Sequence, residues 1–253
     1  MITKRTAAAT VAALIAFMFT AGLSAKTKTL SPGDDLSQIV NHTSADVKYT
    51  VGKPHVEISG PESVLRYIKV GVANRCLKIQ YAGDRQWESD DVEIKVSAEN
   101  VGSFIVYGSG DIKADRIEAV SVSLQTFGSG DITVGDVLST GIQIGIYGSG
   151  DITVNSAEAS TVKALIQGSG DVTVRKIEAS SVEATSQGSG DIAMPSVEAS
   201  ALRATSQGSG DIILGGEVST AVLTGQGVGD INARRLKTVK TTKIQQGLGD
   251  INN

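Results

Sequence analysis

From residue 102 onward, apolar residues stand two apart in short runs, and the runs return every 20 residues. One column holds Val122, Ile142, Val162, Val182, Leu202 and Val222, and two residues further on stand Leu124, Ile144, Ala164, Ala184 and Ala204. A second set reads Ile112, Ile132, Ile152, Val172, Ile192, Ile212, Ile231 and Ile251, followed by Ala114, Val134, Val154, Val174, Met194 and Leu214. A third apolar position carries Ile117, Val137, Ala157, Ile177, Val197 and, shifted, Leu236. Period-two alternation in Val- and Ile-rich runs predicts half-buried strands, so each unit offers two or three short strands with turns between. Helical spacing is absent, and 29 glycines are too many for stacked helices.

The turn between runs is Gly-Ser-Gly-Asp-Ile, starting at Gly108, Gly128, Gly148, Gly168, Gly188 and Gly208, with Val172 once in place of isoleucine. Two later copies, at Gly227 and Gly247, carry Val228 and Leu248 where the serine stood. The aspartates Asp111, Asp131, Asp151, Asp171, Asp191, Asp211, Asp230 and Asp250 step by 20 residues, with one step of 19. A fixed step of this size marks units that bury a core only against their neighbours. Parallel strands stack about 4.8 Å apart and their crossovers are right-handed. The expected fold is all-β: a right-handed parallel β-helix, or β-solenoid, with about 20 residues per coil and a length of roughly 34 to 38 Å. In that register Lys163, Glu183 and Arg203 share an outward column, opposite charges side by side.

Upstream the pattern loosens. Val47–Val51, Val56–Ile58, Leu77–Tyr81 and Val92–Val96 alternate as strands do, separated by Gly- and Pro-containing turns, but no clean 20-residue copy is visible. The chain therefore divides into an irregular β cap or first rungs over 46–101 and the regular array over 102–253. Residues 26–45 are polar without a sustained period and read as a leader or linker.

Residues 1–25 have the makeup of a cleaved secretory signal peptide. Lys4 and Arg5 precede an apolar run from Ala7 to Phe19, and Gly22-Leu23-Ser24-Ala25 offers small residues for cleavage. The mature protein is then exported to the periplasm, outer surface or medium, and keeps no transmembrane segment. Its net charge moves from −4 to −6 with the loss of Lys4 and Arg5, which gives no electrostatic reason to bind nucleic acid or anionic membrane. Cys76 is the only cysteine, so no internal disulfide forms; it reads as a small buried hydrophobe.

Candidate chemistry lies in the columns. Neighbouring carboxylates about 4.8 Å apart repel by roughly 0.9 kcal/mol in water, so the aspartate ladder needs compensation. Two accounts are open. Each Asp accepts N–H groups of its own turn, or the row binds calcium through carboxylate and carbonyl oxygens. The first is preferred because no second acid recurs beside the column, and no metal or cofactor is expected. His42 and His55 lack metal-ligand spacing. Glu118, Glu158, Glu178 and Glu198 form a second acidic column, read as a solvated edge before a glycosidase pair. The turn serines are not nucleophiles, since Val228 and Leu248 replace two of them. No catalytic residue is assigned.

Tyr107, Phe127 and Tyr147 form an aromatic column that continues as Gln167, Gln187, Gln207, Gln226 and Gln246. Strict alternation points it outward, whereas a bulge at the following glycine would turn it in. If outward, its aromatics are sugar-stacking candidates and its glutamines hydrogen-bonding ones.

A signal peptide, irregular strands that include Cys76-Leu77-Lys78-Ile79, and then repeated Gly-Ser-Gly-Asp-Ile resemble the head GIN domain family of secreted bacterial proteins, described as autotransporter adhesins. The resemblance spans about residue 45 to the end. It implies a β-solenoid of the cell envelope with adhesive or glycan-binding function, a polysaccharide or cell-surface polymer as partner, and no catalytic residues. Two other classes stay open: a β-helical polysaccharide lyase or hydrolase, recognisable by acids beside Lys or Arg in a groove, and an assembly scaffold. For the latter, the last coil, ending Asp250-Ile251-Asn252-Asn253, shows no evident cap and offers an edge for homo-oligomers.

Overall fold

The computed structural model describes residues 26–83 and 92–253; the expected signal segment lies outside the described residues. Strands β1 (Lys26–Leu30), β2 (Gln38–Asn41), β3 (Asp46–Val51) and β4 (His55–Gly60) precede one short helix, α1 (Glu62–Leu65). They are followed by β5 (Ile68–Ala73), β6 (Cys76–Tyr81) and β7 (Glu93–Ala98). The regular array runs through β8 (Ser103–Val106), β9 (Ile112–Glu118), β10 (Ser121–Thr126), β11 (Ile132–Leu138) and β12 (Gly141–Ile146). From β13 (Ile152–Ile166) the two limbs of each coil join into one bent strand, as in β14 (Val172–Ser186), β15 (Ile192–Ser206), β16 (Ile212–Gly225) and β17 (Ile231–Gln245), before the short β18 (Ile251–Asn252).

The array is a parallel β-solenoid of about 8 turns, with coils roughly 20 residues apart. Ile132 pairs with Ile112 on one side and Ile152 on the other, and Val162 pairs with Ile142 and Val182. Like letters thus lie over like letters. Ile112, Ile132, Ile152, Val172, Ile192, Ile212 and Ile231 are fully buried, as are Ile117, Val122, Leu124, Val162 and Ile177. Each coil is too thin to hold a core alone; the apolar columns become a core only when stacked.

Three placements differ from expectation. Val222 does not continue the column of Leu202: Ala221 pairs with Leu202, and Leu223 with Ala204. The register shifts between Met194 and Val197, where Gly215-Gly216 crosses with one residue fewer. Gly216 takes φ +106 there, a backbone that side-chain-bearing residues rarely adopt. The 19-residue step is absorbed at that point, upstream of Val222, which faces outward.

The second difference concerns residues 26–45, which are no linker. β1 runs antiparallel to β4 with Leu30 buried, and β2 lies parallel between β6 and β8. Asn41 pairs with Val106 and Val47 with Ile112, so Thr43-Ser44-Ala45-Asp46-Val47 occupies the place of a Gly-Ser-Gly-Asp-Ile turn. The two glycines are missing for a steric reason. A Cβ on Gly108 would lie 2.1 Å from the Thr43 carbonyl oxygen, and one on Gly128 2.1 Å from that of Gly108. Each turn glycine presses its bare Cα against the turn before it. No such turn precedes Thr43, so it and Ala45 keep their side chains.

Between this first coil and the array the chain builds a cap. β6 covers β2, β7 covers β3 in parallel, and β4 and β5 add antiparallel neighbours. Tyr49 and Phe104 meet edge to face at 5.1 Å beneath it, and the Tyr49 hydroxyl donates to the Ala98 carbonyl at 2.9 Å. Cys76 also departs from expectation: Leu77 and Ile79 take the inward positions of β6, leaving Cys76 half-buried on the other face. Burial still raises its thiol pKa.

Candidate functional site

The turn that ends each coil aims one side chain outward. The residue before it points in: Thr126 donates to the Gly130 carbonyl at 3.0 Å and Ser186 to that of Gly190 at 3.1 Å, so these buried hydroxyls brace the corner. The next residue hangs its N–H on the preceding coil. Phe127 N–H bonds the Val106 carbonyl, and Gln167 and Gln187 N–H bond those of Ile146 and Ile166, each at 2.8 Å. With the backbone held on both sides, the side chain between must leave the core in register with its neighbours.

The column of Tyr107, Phe127 and Tyr147 therefore faces out, at 46%, 40% and 39% exposure. Tyr107 and Phe127 stack with centroids 4.9 Å apart, and Phe127 and Tyr147 at 4.6 Å. His42, which sequence reading left unassigned, stacks on Tyr107 at 4.6 Å and 6°. Beyond the rings, Gln167, Gln187, Gln207, Gln226 and Gln246 form an amide ladder, each Nε2 donating to the next Oε1 at 2.8 to 2.9 Å. Nine flat side chains thus follow one another in one outward column along the solenoid, four stacked rings and then five bonded amides. Rings stacked this way cover one another's faces, so an approaching molecule meets ring edges. A sugar cannot lie flat on Phe127.

Each inner ladder glutamine, Gln187, Gln207 and Gln226, spends one N–H and one lone pair on its neighbours. An amide has two of each, so an N–H and an acceptor site remain to face solvent once per coil. Burial and, secondarily, the Lys78 charge lower the His42 pKa from 6.5. The folded state then disfavours the imidazolium, so stability is complete above pH 6.5 and declines as pH falls through the lowered folded value. His42→Phe keeps the stack and is expected to lose this part of the pH dependence in thermal unfolding.

The aspartate ladder runs on the same corner, but not as expected. Each carboxylate accepts the N–H of the next aspartate in the column, not those of its own turn. Asp46 Oδ1 takes the Asp111 N–H at 2.9 Å, Asp111 that of Asp131 at 3.0 Å, and Asp131 that of Asp151 at 2.8 Å. The series continues through Asp151, Asp171, Asp191, Asp211 and Asp230, which accepts from Asp250, at 2.7 to 2.8 Å. In-register stacking brings each N–H beneath the carboxylate above it. A donor dipole then sits between successive charges and offsets their repulsion. Among the described residues no three His, Cys, Asp or Glu side chains group as metal ligands. Asp171→Ala removes the acceptor of the Asp191 N–H at an exposed corner that water can reach, and is expected to cost about 0.5–1.5 kcal/mol. Asp171→Asn keeps an acceptor oxygen and should recover most of that loss in urea unfolding.

The remaining charged columns lie on open strand faces. Lys163 and Glu183 form an ion pair at 3.0 Å with both side chains well exposed, and Lys176 pairs with Glu178 at 2.5 Å. Glu158, Glu178, Glu198 and Glu217 are register partners, whereas Glu118 is set apart by Leu138. Hydrogen bonding to Glu178 and its charge raise the Lys176 pKa.

Known structures share this architecture. An entity described as a "putative adhesin" from Parabacteroides merdae superposes with a TM-score of 0.72 at 18% identity, over 91% of this chain and 97% of that one. A "putative adhesin" from Parabacteroides distasonis gives 0.71 at 20% identity, over 90% and 96%. A "putative lipid binding protein" from the same species gives 0.74 at 18% identity, over 91% and 98%. At such identities the likeness is one of fold. Comparison with curated proteins returns no significant match. The family profile described as "putative auto-transporter adhesin, head GIN domain" matches residues 35–196 and 175–252. Its first match begins before Asn41, within the stretch where the structure reveals the glycine-free first turn. By fold and by sequence the chain belongs to the head GIN domain family.

Proposed function

We propose that this chain is an exported, non-catalytic adhesin head that holds an extended polysaccharide of the cell envelope along the ribbon of His42, Tyr107, Phe127, Tyr147 and the glutamine ladder. The observation that carries the reading is the ribbon's regularity: one exposed, flat, hydrogen-bonding or aromatic side chain per coil, at the pitch of a β-stack, about 4.8 Å. A polymer that repeats its hydroxyls at a similar pitch can meet successive amides with the same geometry. Tyrosine hydroxyls and positive ring edges continue the pattern toward the cap. Many weak contacts add along a polymer, whereas a monosaccharide gains only one or two. Export follows from the signal-like residues 1–25. Among the described residues no helix is long and apolar enough to cross a membrane.

A glycan array with the mature chain tests this reading. We expect binding to polysaccharides and not to their monosaccharides, and loss of most of it in Gln167→Ala/Gln187→Ala/Gln207→Ala, whose side chains lie outside the core. An array without a polysaccharide binder, or full binding by the triple variant, refutes it.

A further inference from the structure

The cap leaves one stretch of its core uncovered. β5 lies in the interior of the chain, between α1 and β6, and among the described residues it pairs with β6 alone. Its Val70 and Val72 stand in register with Ile79 and Leu77, which are fully buried, and pack against the same core. No further described strand rests on the two valines, and both stay half-buried. A groove of about 560 Å³ runs beside them, lined by Ile68, Val70 and Val72. That volume is within the roughly 300 to 1,000 Å³ typical of small-molecule sites.

The charged side chains of the groove are all lysines. On β1, Lys28 is the register partner of Ile58, a buried position, and lends its stem to the lining where an array coil would place valine or isoleucine. Its Nζ donates to the Leu65 carbonyl at 3.0 Å. Lys69 of β5 and Lys78 of β6 are exposed and complete the rim. Gly71 is the register partner of Lys78, and nothing lies within 4 Å of where its Cβ would be, so the way between the valines and the two ammonium groups is open. Among the described residues no aspartate or glutamate lines the groove, in a chain whose net charge is −4.

We propose that this groove binds a free fatty acid, its alkyl chain lying on Ile68, Val70 and Val72 and its carboxylate held by Lys69 and Lys78. Lining and charge together select that occupant. An alkyl chain covers the valines and removes their surface from water without needing a hydrogen-bond partner. Two flexible ammonium groups receive a carboxylate without fixing its angle. A neutral hydrocarbon would leave the lysines unused, and a sugar would bring hydroxyls to valines that offer them no partner. Lysines on an edge strand also keep it from pairing with other chains. That role explains neither the groove beside them nor two valines left half-buried at core register positions.

The test titrates dodecanoate into the mature chain below its micelle-forming concentration, with octanoate and dodecyltrimethylammonium as controls, followed by calorimetry and methyl NMR. One site per chain, an affinity that rises about two- to fourfold per added methylene, and shifts at the Val70 and Val72 methyls support the proposal. Lys69→Glu/Lys78→Glu should weaken dodecanoate by about tenfold and favour the ammonium compound instead. Both lysines are exposed, and unchanged thermal unfolding of the double variant confirms that its fold is kept. Absence of binding, equal binding of the two dodecyl compounds or of octanoate, unchanged affinity in the double variant, or shifts confined to other methyls overturns it. So do shifts at Val70 and Val72 caused by anionic phospholipid vesicles but not by dodecanoate, which would make a membrane surface the occupant. The groove shares no residue with the glutamine ribbon, so Gln167→Ala/Gln187→Ala/Gln207→Ala should bind dodecanoate unchanged, and the outcome is separate from polysaccharide binding.

Discussion

Gly188→Ala is expected to destabilise the solenoid by about 3 kcal/mol or more, a fall in melting temperature of roughly 6 to 12 °C for a chain of this size. The added Cβ would sit 1.9 Å from the carbonyl oxygen of Gly168. That neighbour is backbone, held in its own turn by the Ser189 N–H at 3.1 Å, and it cannot rotate away as a side chain would. Relief requires the two coils to part, which costs the hydrogen bonds and apolar contacts on either side. Gly71→Ala is the control. Nothing lies within 4 Å of a Cβ there, so its effect should fall within about 0.5 kcal/mol. Urea unfolding followed by circular dichroism separates the two. Equal midpoints would show that the turn glycines are present for some reason other than close approach.

Asn41→Leu is expected to cost about 3 kcal/mol, most of it at the amino-terminal end. Asn41 is fully buried and acts as the brace of the first turn. Its Nδ2 donates to the Ala45 carbonyl at 2.8 Å and the Gly110 carbonyl at 3.3 Å, and its Oδ1 accepts from Thr43 N–H and Oγ1 at 3.0 and 2.8 Å. Leucine has similar bulk but leaves these groups dry and unmatched, at about 1–3 kcal/mol for each that water cannot reach. Coils interact with nearest neighbours, so the loss is local. Hydrogen exchange should quicken across residues 38–47 and the cap while amides of β13 to β16 stay protected. Unchanged exchange at 38–47 would mean that Asn41 is not what holds this coil.

The contrast between these two positions shows how far the sequence can be read. Gly188 announces itself because its turn is copied along the chain. Asn41 stands in the same fold position as Thr126 and Ser186, but its turn reads Thr-Ser-Ala-Asp-Val, 65 residues before its nearest counterpart at Asp111. The glycine signature vanishes there because the steric demand that creates it vanishes. The intervening β4 to β7 hide the remaining match. The same coil hid His42 from the aromatic column, although a search for the pattern aromatic-x-Ser-x-Asp would have found it. Val222 was misplaced for another reason: the one-residue loss could have fallen anywhere between Asp211 and Asp230, and only the pairing of Val197 with Gly216, in its left-handed backbone, locates it.

Within the regular array, periodicity determined that the chain is a parallel β-solenoid, where most apolar columns lie and which coils are neighbours, because repeat spacing and stacking order are the same fact written in one and three dimensions. Only the tertiary structure decided what the columns do at the surface. Whether rings show faces or edges, which N–H each aspartate accepts, and that β6 and β7 cover the first coil all depend on distances between coils. Those distances arise from packing that no single coil's sequence contains.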